Sequence, residues 1–151
     1  VTETLIDLMN SRMATTIPAA HRMGVRIAES RRGFAAATVP ADGNGNHFGV
    51  VYGGVVFTVA EILGGILALS SFDATRYFPL VKQVDIKFVG MATTQLRAEA
   101  ALDEDTIVAV MAEAEEKGKA DYRVDATVTD ADGAVVATTH GLYQIRRHPT
   151  Q

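Results

Sequence analysis

Polar and apolar positions along the chain change period several times, and each period predicts a different element. Leu5, Leu8, Met9 and Met13 recur at helical spacing within residues 3–14, which predicts an amphipathic opening helix. Pro18 is expected to end it. Val25 to Ser30 and Phe34 to Val39 read as short strands around an Arg31-Arg32-Gly33 hairpin turn, with the two arginines solvated. The run Pro40-Ala41-Asp42-Gly43-Asn44-Gly45-Asn46 is the densest cluster of loop formers. From Phe48 to Phe72 the chain is then almost wholly apolar or small, with Glu61 as its single charge. A helix over about 53–71 follows from this run, apolar on all sides and therefore buried on all sides.

Beyond Pro79 the period becomes two. Val84, Ile86 and Phe88 interleave with Asp85 and Lys87, and Leu96 to Leu102 alternates with Arg97 and Glu99. Ile107, Val110, Met111 and Ala114 share a helical face, with Asp103 to Asp105 at its start and Gly118 at its end, so a shorter helix is expected near 105–117. Residues 120–129 alternate strictly, Asp130-Ala131-Asp132-Gly133 makes a turn, and Ala134 to Arg146 pairs back as the last strand. Alternating strands with one wet face form an antiparallel sheet, and the apolar helix is its natural filling. The expectation is a single α+β domain over 1–151, a curved antiparallel sheet wrapped around a long helix.

A run this long is also long enough to span a bilayer. Glu61 would then lie near the midplane, where a carboxylate is costly, and no Lys/Arg cluster flanks either end. No membrane span is expected, nor a secretory signal, since no basic segment followed by an apolar one opens the chain. A cytoplasmic location follows from that reading. Composition narrows the chemistry further. A net charge of −4 argues against nucleic acid as the main partner, and the absence of cysteine excludes a thiol nucleophile and cysteine-based metal sites. The four histidines are scattered without metal-ligand spacing, so no metal is expected.

Glu61 lies seven residues, about two helical turns, after Gly54, and so on the same face. Phe57, Thr58, Gly65 and Ala68 share that face and, Phe57 apart, are small. A purely structural helix fills such space with Leu or Ile, because voids are costly. Small residues beside an acid therefore predict a cavity that a ligand enters. The paired glycines Gly53 and Gly54 at the helix start leave N–H groups that, aided by the helix dipole, can stabilise an oxyanion.

The string Asn46-His47-Phe48-Gly49-Val50-Val51-Tyr52-Gly53-Gly54, with Glu61 after it, resembles the motif of the PaaI-type hotdog thioesterases. It is similar in particular to the branch known as a domain of unknown function with thioesterase-like features. The motif match covers residues 46 to 65, and the element order agrees over about 22 to 146. The resemblance implies the hotdog fold and hydrolysis of an acyl thioester, such as acyl-CoA, with no cofactor. Asn46 falls on the polar position that orients the thioester or water, Gly54 on the residue whose N–H binds the carbonyl oxygen, and Glu61 on the general base or nucleophile. His47, Phe48, Gly49, Tyr52, Gly53, Phe57, Thr58, Gly65 and Phe88 are the expected substrate contacts. Tyr52 stands where many active members have His, and Gly65 where Ser or Thr often supports the water. Phe72, Tyr77 and Phe78 are further candidates to line or close an acyl tunnel, and Lys82, Lys87, Arg146 or Arg147 to hold CoA phosphates. The family also implies a homodimer or a dimer of dimers, with the Asn46 loop of one copy facing Glu61 of another.

Two other functions fit the same fold. His47-Phe48 followed by Glu61 is similar to the His-Phe-Pro…Glu arrangement of the 3-hydroxyacyl-carrier-protein dehydratases, although Gly49 replaces the Pro. A non-catalytic acyl-thioester or lipid binding protein is the other alternative.

Overall fold

The computed structural model describes residues 3–150. The chain opens with α1 (Leu5–Thr16), started by a capping box in which Thr4 and Asp7 each bond the other's backbone N–H. Only Met13 of its apolar face is fully buried, and Leu5, expected inward, is exposed. Pro18 does not simply end this helix. It begins a second one, α2 (Pro18–Met23), because a proline at the first helical position gives up only an N–H that has no partner there. The hairpin strands β1 (Arg26–Arg31) and β2 (Phe34–Val39) follow as expected, turning at Gly33 with φ +78°.

The apolar run forms α3 (Gly53–Glu61) and α4 (Leu63–Ser71), two segments joined at Ile62. Ile62 keeps helical angles, so the rod continues past a local break. β3 (Tyr77–Phe88) is twelve residues long and begins well before the alternating stretch that signalled it. Pro79 is tolerated within it because β3 is an edge strand, where a missing N–H breaks no central ladder. β4 (Leu96–Ala101), α5 (Glu104–Lys117), β5 (Lys119–Thr129) and β6 (Val135–Arg147) complete the chain. α5 starts at an Asp103 cap and stops at Gly118 in the left-handed region.

All pairs in the six-stranded sheet are antiparallel, in the order β1-β2-β4-β5-β6-β3. Strand β5 shows why the sheet wraps: Ala120, Tyr122, Val124, Ala126 and Val128 are buried, while the residues between them face water. The buried row covers α3 and α4, whose Val59, Leu63 and Leu67 are wholly enclosed. This is the hotdog arrangement. The stretch Gly53–Ser71 is long and apolar enough for a membrane span, but the sheet encloses much of it.

Two polar clips tie helices to the sheet. Asn10 of α1 pairs with the edge of β1 as a strand would, donating to the Ile27 carbonyl at 3.0 Å and accepting from the Ile27 N–H at 2.7 Å. Arg32 is not a free turn residue: it forks onto both carboxylate oxygens of Glu104, at 2.7 and 3.0 Å, and donates to the Ser71 carbonyl at 3.2 Å. The tail is held as well, since the His148 N–H donates to the Arg76 carbonyl at 2.8 Å.

Candidate active site

Glu61 ends α3 and is half-buried, in a cleft of about 320 Å³ lined by Ile62, Gly65, Tyr143, Ile17 and Pro79 with its β3 neighbours. Its carboxylate has no hydrogen bond or ion pair with any described residue. Burial in these apolar surroundings pushes its pKa up. The chemistry thus has a carboxylate that meets solvent or ligand rather than a protein partner.

Its position depends on a tyrosine from β6. The Tyr143 hydroxyl donates to the Glu61 carbonyl at 2.9 Å, and the Tyr122 hydroxyl donates to the Gly64 carbonyl at 2.8 Å. In an unbroken helix the Glu61 carbonyl would serve the N–H of Gly65. A side chain entering that ladder accounts for the break at Ile62. The two phenol rings stack at 5.6 Å, and burial holds both well above the ordinary tyrosine pKa, so they act only as neutral donors. Gly64 and Gly141 make room for Tyr143: a Cβ on either would lie 2.0 or 2.4 Å from its ring. Gly65, one turn beyond the carboxylate, is different. A Cβ there meets nothing nearer than Pro79 at 3.9 Å, so the space is open.

The Asn46 loop lies at the other end of α3. The Asn46 side-chain oxygen accepts the N–H groups of Phe48 at 2.9 Å and Val50 at 3.3 Å, and Gly49 turns the loop at φ +77°. The oxygen is therefore committed to its own loop, and the amide NH₂ is the end left to meet a ligand. The His47 and Phe48 rings lie tilted against each other, 4.1 Å between centres, and stand in solvent, Phe48 at 77% exposure. The Tyr52 ring lies against the first turn of α3, since a Cβ on Gly54 would come within 2.6 Å of it. Phe88 sits 3.4 Å from the corresponding point on Gly53. The N–H groups of Gly53 and Gly54 have no acceptor among the described residues.

Within one chain these two halves do not meet. The backbones of Gly54 and Glu61 are about 10 Å apart along the helix axis. No hydrogen bond links Asn46 or His47 to Glu61 among the described residues. Phe57 and Thr58 are half-buried beside the first turn, with the Thr58 hydroxyl bonded back to the Gly54 carbonyl at 2.7 Å. Of the aromatic tunnel candidates, Phe72 and Tyr77 belong to the core, and none of Phe57, Phe72, Tyr77, Phe78 and Phe88 lines the Glu61 cleft. Among the cations, Lys82 pairs with Asp121 at 2.9 Å, Arg146 donates to the Gln144 side-chain oxygen at 2.6 Å and Arg147 donates to carbonyls at the end of α5, which leaves Lys87 with neither a side-chain hydrogen bond nor an ion pair among the described residues.

Sequence reasoning missed Tyr143, Ile17 and Pro79, which lie far from Glu61 along the chain. It also missed Asn44, whose buried amide ties the loop to the Met23 and Pro40 carbonyls at 2.7 and 2.8 Å. The loop-forming composition around Asn44 was the available signal.

The family model described as "Domain of unknown function (DUF4442)" matches residues 7–143. The chain belongs to the DUF4442 family. Among solved structures, one similar to this DUF4442 chain is PA5026 of Pseudomonas aeruginosa, described as a protein of unknown function and probable thioesterase. It is 37% identical, with 97% of this chain and 99% of that one covered at a TM-score of 0.88. A point mutant of the Pseudomonas aeruginosa thioesterase PA1618 is 16% identical at a TM-score of 0.75, with 97% of each chain covered. Thioesterase HI1161 of Haemophilus influenzae is 13% identical at 0.74, over 97% of this chain and 93% of that one. The last two likenesses concern the fold alone. No match was found among curated proteins.

Proposed function

We propose that this DUF4442 protein hydrolyses acyl thioesters, with acyl-CoA as the substrate class, in the cytoplasm. The observation that carries the reading is Glu61: a carboxylate without a protein partner, its pKa raised by burial, in an apolar cleft beside the open space at Gly65. The 37% identity to a probable thioesterase supports it. In the proposed reaction Glu61 takes a proton from water as the water oxygen attacks the thioester carbon. The carbonyl oxygen gains negative charge and is held by the Gly54 N–H and the Asn46 amide. Collapse breaks the C–S bond, and the proton on Glu61 passes to the leaving thiolate, giving a carboxylic acid and free CoA. Lys87, near the Gly53 end, is the cation available to a CoA phosphate.

The halves of this site are to be joined by a second copy of the chain. Strand β3 leaves one edge unpaired along twelve residues, with Leu80, Val81 and Phe88 exposed, and an edge of that length needs cover. Pairing two β3 edges would bring the Asn46–Gly54 loop of one copy towards Glu61 of the other. Sedimentation across a dilution series is expected to show a dimer or larger species, with activity lost as it dissociates. A fully active monomer would overturn the shared site.

The direct test of function is free-thiol release from a panel of acyl-CoAs, run beside calorimetry on the same ligands. Release at catalytic rates is expected. Saturable binding with no release would assign the protein to the binding role instead, and hydration of crotonyl-CoA without thiol release would assign it to the dehydratases.

A further inference from the structure

The cleft at Glu61 does not stop at Gly65. A second cavity of about 390 Å³ runs on from it, and the two share Ile17, Ile62, Gly65 and Pro79 as walls. Together they make a groove between α1 and α4, beginning at the carboxylate and ending beside Leu69. Three observations set this groove apart from ordinary surface. Asn10 ties α1 to the edge of β1, so the helix is held as a roof over α4. Met9 and Met13 face into it, and their flexible thioethers adapt to an apolar guest. Ile17 and Leu69 line it although they are 44% and 50% exposed, which leaves large apolar side chains in water until something covers them.

We infer that this groove takes the acyl chain of the substrate, and that the occupant is a chain of medium length. The inference rests on the thioesterase reading, because Glu61 at the groove's head fixes where the thioester sits. From Glu61 to Leu69 is eight residues, about 12 Å of helix, and an extended chain advances about 1.2 Å per bond. About eight to ten carbons fill that length. A longer chain emerges into solvent beyond Leu69 and gains no further apolar contact. The open position at Gly65 is the point where the chain must pass, since any larger residue there would divide the groove.

The test is a series of acyl-CoAs from C2 to C16, measured as kcat/KM for the wild type, Leu69→Trp and Met9→Trp. For the wild type, kcat/KM is expected to rise about threefold to fourfold per added methylene and to level off near ten carbons. Either tryptophan closes the far end, and the decanoyl-to-butyryl ratio of kcat/KM should fall at least tenfold. Leu69 is exposed and Met9 only half-buried, so at least one variant is expected to fold. If the wild type hydrolyses thioesters but both variants keep its chain-length profile, the groove assignment fails while the thioesterase reading stands. If the wild type releases no thiol, the function fails, and calorimetry with decanoyl-CoA decides the groove: weaker binding to Leu69→Trp keeps it, and equal affinity overturns it.

Discussion

Glu61→Gln is expected to lower kcat for acyl-CoA hydrolysis by about 10²–10⁴-fold, the usual range for a positioned general base. The substitution keeps size and polarity while removing the site of the proton, so KM should change far less than kcat. The wild-type pH profile carries the same information. Glu61 works as a base only when ionised, and burial raises its pKa above the ordinary 4.5. The acidic limb of kcat should therefore fall at a pH above that of a solvated carboxylate, and it should be absent from the residual activity of Glu61→Gln. An unchanged kcat would remove Glu61 from the reaction.

Stability should move the other way. A folded-state pKa above the unfolded one means that the folded chain holds this proton more tightly. The associated stability is present below the ordinary pKa and is lost as pH rises through the raised one. At neutral pH the folded protein therefore carries a disfavoured charge that glutamine lacks. Thermal unfolding at pH 7 should show Glu61→Gln melting above the wild type, with the gap closing towards about pH 4. A functional group that weakens its own fold is a common trade.

Gly64→Ala is expected to have the largest effect on the fold. The new Cβ would stand 2.0 Å from Cε1 of the Tyr143 ring, which is itself buried against Tyr122. Neither partner can give way freely: the Tyr143 hydroxyl is bonded to the Glu61 carbonyl and that of Tyr122 to the Gly64 carbonyl. Overpacking alone costs about 1–3 kcal/mol, and losing the two hydrogen bonds adds about 1 kcal/mol each. A loss of about 3–5 kcal/mol would lower Tm by roughly 6–20 °C in a domain of this size. Urea or thermal denaturation measures it. Gly64→Ala combined with Tyr143→Leu should be clearly less damaging than the sum of the two single changes, because the clash disappears. Additive losses would show that Gly64 is needed for some other reason.

These two residues divide cleanly in how they could be found. Glu61 is the lone charge in an apolar run, and its meaning was visible without coordinates because retaining one carboxylate there is costly. Gly64 looked like any glycine of that run. Its reason lies in a tyrosine 79 positions later, and nothing in the local pattern connects them.

What the amino-acid order determined by itself was local or periodic. The period-two rows of β5, the caps of α5, the hairpin turn at Gly33 and the single enclosed helix all follow from short-range sterics and the removal of apolar surface from water. Spacing and burial marked Glu61 and Gly54 as candidates, and the Asn46 loop was marked by its resemblance to the hotdog thioesterase motif. The tertiary structure alone decided what surrounds them. It broke the central helix at Ile62 through a distant hydroxyl, turned Arg32 from a solvated residue into a clip on Glu104, and set Ile17 and Pro79 as the walls beside the carboxylate. It also left the aromatic candidates for the tunnel outside the Glu61 cleft. Which side chains meet across a folded sheet depends on register and curvature. Those come from the packing of the whole domain, so no window of sequence contains them.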